Sequence, residues 1–436
     1  MIILFSLLGI VLLSSNLFLS VRRSRYLTIV NIISVITIID LYIPAIIGNI
    51  SGRYFSLPYV SPLKDSEVLS AVILADFAYL LLLVAYNFFN PKILRSSFYI
   101  KTHVNPQRIK LLFLFSVVVY FLDLYFTYKS FGSWLDFYTF KLTRAYAVTV
   151  EAQSNFARVV SILSETTYVI MLMMFSMMLS HRREFSKNYF RLSIIFIVLV
   201  CLLSLSRGTI LGFFISVVAV FEFDVYRNGG LTCKVRKIIF KFAIIGVCAF
   251  LLFGGLRNTL QQSHFSGDKT SVMKSAIEAA NNTFGNSLIA LTRTVRYVES
   301  GKRLFGGQSY GEMFLSLVPR SIMPNKPKLY GVQTLTMAEG SPESTMDAIT
   351  MPGELIINFG YFGILFMILW GAMFRLIDNF RYKKRMKYYL ASAIFTISTT
   401  CSWMSFTGFF AQTKYILIYY IVLKFVTSAK KKYIIN

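Results

Sequence analysis

The 436-residue chain is 56% hydrophobic and 16% aromatic, with 15% charged residues and a mean hydropathy of +0.61. A soluble domain carries about 25% charged residues, so a soluble enzyme, a disordered chain and a secreted disulfide scaffold are all excluded. The net charge of +25 fits basic loops that set membrane topology and gives no ground for a nucleic-acid partner.

A spanning helix needs about 20 mostly apolar residues. Runs of that kind are predicted at 2–20, 27–49, 68–89, 109–128, 157–180, 192–205, 209–224, 239–256, 354–376, 388–410 and 413–428. The fold class is therefore an all-α polytopic integral membrane protein of about 11 spans, within a range of about 10–12. Residues 1–256 supply the first eight spans, 257–353 one large loop, and 354–436 the last three spans with a basic C-terminus. Every second loop is basic. Arg22, Arg23 and Arg25 follow the first run, Lys92, Arg95, Lys101 and Arg108 the third, and Arg182, Arg183, Lys187 and Arg191 the fifth. The series continues with Arg227 to Lys241, with Arg381 to Lys387, and with Lys430 to Lys432. These loops are predicted to be cytoplasmic, which puts 50–67, 129–156, 257–353 and the N-terminus outside.

Within the spans, Asp40, Asp76, Asp123 and Glu165 stand out, because a charge in hydrocarbon costs at least ~2.5 kcal/mol. Taken singly, each is expected to pair with a Tyr, Ser or Asn on a neighbouring helix. Taken together, in the outer halves of four helices, they suggest a polar cavity open to the outside. Between two short apolar runs, Ser206-Arg207-Gly208-Thr209 puts an Arg fork at a turn beside a helix start, suited to a phosphate or to snorkelling.

The large loop carries mixed charge, and its stretch Ser271–Glu299 has helical spacing that predicts a helix lying on the surface. Pro319-Arg320-Ser-Ile-Met-Pro-Asn325-Lys326-Pro-Lys328 is a stiff extended segment, since proline fixes φ and restricts its predecessor. Glu354 and Asn358, four residues apart, share a helix face. Glu354 also lies in the first turn, where a carboxylate favours the helix dipole. Gly360 and Gly363 would permit close helix packing. Three histidines, with His103 and His181 in cytoplasmic loops, are too few for a metal site; His264 is an outer-loop residue of low weight. Four cysteines without a CxxC imply neither a disulfide framework nor zinc. Walker, GxGxxG, HExxH and GxSxG motifs are absent from the sequence.

Three local features together resemble the Wzy-type O-antigen and capsule repeat-unit polymerases of bacterial inner membranes: Ser206-Arg-Gly208, the 319–327 segment, and Gly353-Glu-Leu-x-x-Asn-Phe-Gly-x-x-Gly363. Arg296 with Gly307 and Arg320 with Gly331 also fit the Arg-x10-Gly pattern of that family. The resemblance implies en bloc transfer of a glycan from undecaprenyl diphosphate to a lipid-linked repeat unit on the periplasmic face. It implies Glu354 as general base and Arg320 as a catalytic cation, with His264 as a distant second choice of base. Arg207, Arg257, Arg296, Lys326, Lys328 and Asn358 would bind diphosphate or glycan, and Tyr310, Tyr330 and Asn325 would touch sugars. No metal or other cofactor is expected. Expected partners are the lipid-linked oligosaccharide, the bilayer, and a chain-length regulator or flippase. An O-antigen ligase and a lipid-linked oligosaccharide flippase or other transporter are the rival expectations.

Overall fold

The computed structural model describes residues 1–22, 28–52, 54, 62–89, 102–131, 155–180, 184–204, 286–308, 310–311, 350–381, 421–422 and 424–429. These residues are mostly helical, in two compact units that interleave along the chain. Unit 1 takes Met1–Arg95, Ala280–Phe380 and Ile397–Lys414, and unit 2 takes Ser96–Ala279, Arg381–Thr396 and Tyr415–Asn436. Unit 1 thus draws on residues from both sides of positions 256 and 353.

In unit 1, α1 is Ile2–Arg22 and α2 is Ile29–Thr37. The Thr28 side chain accepts from Asn31 N and so caps α2, satisfying one of the donors that a helix start leaves open. The rod then widens into one π-helical turn, Ile38–Tyr42, before α3, Ile43–Ser51. Gly52 ends α3 with φ +67, a conformation that glycine adopts without strain. Next comes α4, Asp65–Phe88. Tyr54, just past the end of α3, donates to Asp65 at the start of α4 at 2.7 Å, which ties the two helix ends together. Gly9 of α1 leaves room for the Tyr42 and Asp76 side chains, which a Cβ there would overlap.

In unit 2, β1 is Thr102–Val104, α5 Pro106–Phe131, α6 Asn155–Ser180 and α7 Lys187–Ser204. Helices α5 and α6 pack along their length, with Met173, Met174, Met177 and Met178 of α6 buried. The Tyr120 hydroxyl donates to Val200 O at 3.2 Å and the Tyr189 hydroxyl to Lys110 O at 3.1 Å, tying α5 to α7. Residues 413–428 read as a span in the sequence, but Thr427–Ala429 forms β2, antiparallel to β1 with Thr102 opposite Ala429. Arg108 donates to Phe425 O at 2.7 Å and covers its ring, fixing this short ribbon at the start of α5.

Back in unit 1, α8 is Asn286–Glu299, α9 Met351–Phe359, then a 3₁₀ segment Gly360–Phe366 and α10 Met367–Arg381. Five helical stretches among the described residues are long and apolar enough to cross a membrane: Ile2–Ser20, Ile29–Ser51, Asp65–Phe88, Pro106–Lys129 and Met351–Asn379. The predicted spans 209–224, 239–256 and 388–410 lie outside the described residues. The last stretch is not one rod. Gly360 takes φ +66 and ψ −163, a region open essentially to glycine alone. The chain there folds back so far that a Cβ on Gly363 would overlap the Leu355 carbonyl. Phe359 and Phe366 close the bend, their rings 5.2 Å apart.

Candidate functional site

Helix α8 corrects the prediction of a surface helix. Leu288 to Val295 are all buried, including Thr292, Arg293 and Thr294, because α8 packs among α4, α9 and the π turn. Two acids hold it. Asp40, carried by the π turn, accepts from the backbone N of Ser287 at 3.0 Å and from its hydroxyl. A carboxylate thus meets the first turn of α8, where open N–H groups and the helix dipole favour an anion. At the other end, Glu67 of α4 receives Arg296 in a two-pronged pair, Nε at 3.0 Å and Nη2 at 2.7 Å. Nη2 also reaches Pro62 O at 3.0 Å, and Lys64 N donates to the same Glu67 carboxylate. Asp40 lies eleven residues from either end of the 29–51 rod, so α8 starts about halfway along it and climbs to the Glu67 end of α4.

Helix α9 lies beside α8, and every residue from Met351 to Ile357 is buried. Thr350 caps it, accepting from Gly353 N at 3.1 Å. Glu354 and Asn358 are each 1% exposed, and Asn358 Nδ2 donates to the Glu354 backbone carbonyl at 2.7 Å, so the two do share a face. At the far end of α9, Phe305 N donates to Ile357 O and Gly306 N to Asn358 O, which satisfies carbonyls that a helix end leaves open. Gly306 and Gly307 take positive φ and turn the chain so that Tyr310 stacks on Phe359, 5.8 Å between ring centres. Gly307 is the glycine of the Arg296-x10-Gly pattern, so that spacing joins a clamped arginine to this turn. Burial, and after it the Glu354 charge, push the Tyr310 phenol well above its usual range.

No family model, curated protein or solved structure matches the chain. The local geometry alone must therefore carry the description of the site. Of the residues singled out in the sequence, Glu354, Asn358, Tyr310 and Arg296 come together around α8 and α9. Arg296 is engaged by Glu67 and Pro62. Arg207, Arg257, Arg320, Lys326, Lys328, Asn325, Tyr330 and His264 lie outside the described residues. Arg293 was missed. It is 2% exposed and, among the described residues, the largest of the fully buried side chains, on the helix next to Glu354. Its segment holds three charges in fourteen residues, so hydropathy reads it as loop; Leu288, Leu291 and Val295 at helical spacing were the available signal.

Two of the intramembrane acids follow the pairwise expectation. Asp40 pairs with Ser287, and Asp76 accepts from the Tyr42 hydroxyl at 2.7 Å. Asp123 and Glu165 belong to unit 2, and the Glu165 side chain lies outside the described ones. Among the described residues no group of three His, Cys, Asp or Glu is placed to hold a metal.

Proposed function

We propose that this chain polymerises glycan repeat units at the periplasmic face of a bacterial inner membrane. A growing chain on undecaprenyl diphosphate is the donor and a lipid-linked repeat unit the acceptor. The observation that supports this most directly is a buried acid: Glu354 is 1% exposed, beside a helix that carries the buried Arg293, inside the Gly353–Gly363 segment that resembles the polymerase family.

Such a site suits the chemistry. The acceptor hydroxyl attacks the anomeric carbon, the C1–O bond to the diphosphate breaks, and the diphosphate leaves with the bonding electron pair. The hydroxyl proton passes to a base, the role proposed for Glu354, with Asn358 orienting a sugar hydroxyl. Fixed positive charge offsets the charge that develops on the diphosphate; Arg320, with Arg207, Arg257, Lys326 and Lys328, would supply it. The Tyr310–Phe359 stack offers an aromatic edge to a sugar.

Deleting the gene and running the surface glycan on a gel tests this. A core with a single repeat unit in place of a ladder is the expected result. Naked core with long chains retained on the carrier lipid would assign a ligase instead, and an unchanged ladder would end both glycan assignments. Glu354→Gln and Arg320→Ala should each abolish the ladder at matched membrane levels; full polymer from either variant removes that residue from the site.

A further inference from the structure

At the opposite end of α4 from Glu67, three helices of unit 1 meet on Asp378. This carboxylate is fully buried. It accepts from Ile29 N at 3.1 Å and from the Tyr86 hydroxyl at 2.7 Å, so the start of α2 and the end of α4 are locked onto α10. Close packing allows it: Gly371 sits so near α4 that a Cβ would overlap the Leu82 carbonyl. One turn before Asp378, Arg375 lays its guanidinium over the Tyr86 ring, 5.3 Å to the centroid. Among the described spanning stretches of unit 1, Arg375 is the one basic residue inside the apolar length. Its Nε is buried without a hydrogen-bond partner. Asp378 directs its carboxylate to Ile29 and Tyr86, and among the described residues no acid pairs with Arg375.

Arg375 stands four residues before the end of the 351–379 stretch, where a long basic side chain reaches the level of the lipid head groups. The guanidinium is also preorganised. Tyr86 is 2% exposed, its hydroxyl is held by Asp378, and its ring lies beneath the guanidinium. The sequence next to this end is basic as well, with Arg22, Arg23 and Arg25 ahead of Thr28 and Lys92 and Arg95 beyond Phe88. We infer that Arg375, seated on Tyr86, is a binding site for the phosphate of an anionic membrane lipid. A planar guanidinium matches phosphate oxygens in pairs, and basic pockets between spanning helices take such head groups. Along α4 the site is about 28 Å from the Glu67–Arg296 clamp, at ~1.5 Å per residue. It stands independently of the proposed polymerase chemistry.

Native mass spectrometry of the full chain in detergent, titrated with phosphatidylglycerol or phosphatidylcholine, tests the assignment. The wild type is expected to retain phosphatidylglycerol preferentially, and Arg375→Gln to weaken that retention about tenfold, the loss of one paired charge-assisted contact. Arg375→Lys keeps the charge without the fork and should fall between the two; it also serves if the glutamine variant does not fold. Equal retention by the wild type and a folded variant, or no preference over phosphatidylcholine, overturns the site. Displacement of phosphatidylglycerol by undecaprenyl phosphate at equal concentration, lost in the same variants, would assign the phosphate to the carrier lipid instead.

Discussion

An acid inside a membrane span must be neutral or matched to donors, and unit 1 shows how this chain matches its own. Asp40 takes two donors from Ser287, and Asp378 takes a backbone N–H and a tyrosine hydroxyl. Asp40→Leu would leave the half-buried Ser287 donors without this acceptor, so a loss of about 1 kcal/mol is expected, read as a lower unfolding midpoint in detergent. Asp40→Asn keeps an acceptor and should lose less; equal losses would mean that charge, not hydrogen bonding, holds α8. The Arg296–Glu67 pair is partly exposed, at 21% and 11% for the two side chains, so its coupling should be about 1 kcal/mol in a double-mutant cycle. Asp40 was legible in the sequence as a costly residue, whereas Asp378 and Glu67 were not. The partner of Asp40 was not legible either, because Ser287 is 247 positions away and nothing local links the two.

Among elements, α8 and the α9 bend depart furthest from the one-rod-per-span picture. Gly363 was read as a site of close helix packing; what it admits is the chain's own Leu355 carbonyl. Gly363→Ala should therefore cost about 1–3 kcal/mol of stability, through backbone displacement, and reduce the glycan ladder. Gly52, which has open space around its Cβ position, carries only the strain of its positive φ and should be milder when replaced. The burial of α8 has its own test. A cysteine at Thr294 should resist a water-soluble maleimide, while one at exposed Lys302 should react. Labelling of both would return α8 to the surface. Hydropathy could not foresee this, because α8 hides its polar residues against protein rather than displaying them to water.

For the whole molecule, alternating basic loops predict orientation. A reporter active only outside the cytoplasm should be active when fused after Gly52 and inactive when fused after Phe89. The reverse pattern would invert the chain and carry the α8–α9 site to the cytoplasmic side, where a periplasmic glycan polymerase could not operate. The interleaving of the two units has a different origin. Residues 280–380 return to the first ninety-five because α8 and α10 find their partners on α2 and α4, across two hundred or more residues of chain.

Composition alone pointed to apolar helices of membrane-spanning kind, since so little charge could not keep so much apolar surface in water, and five such stretches stand among the described residues. Apolar runs along the sequence also located the five long apolar stretches seen among the described residues to within a few residues, because the length that crosses a bilayer and the residues that tolerate it are local properties. Tertiary structure decided which apolar stretch bends, at Gly360, and which charged segment is buried, at Arg293. Both depend on what stands opposite: a carbonyl that leaves no room for a Cβ, and neighbouring helices that shelter a guanidinium from lipid. Such complementarity belongs to pairs of distant segments, and a single segment read along the chain does not contain it.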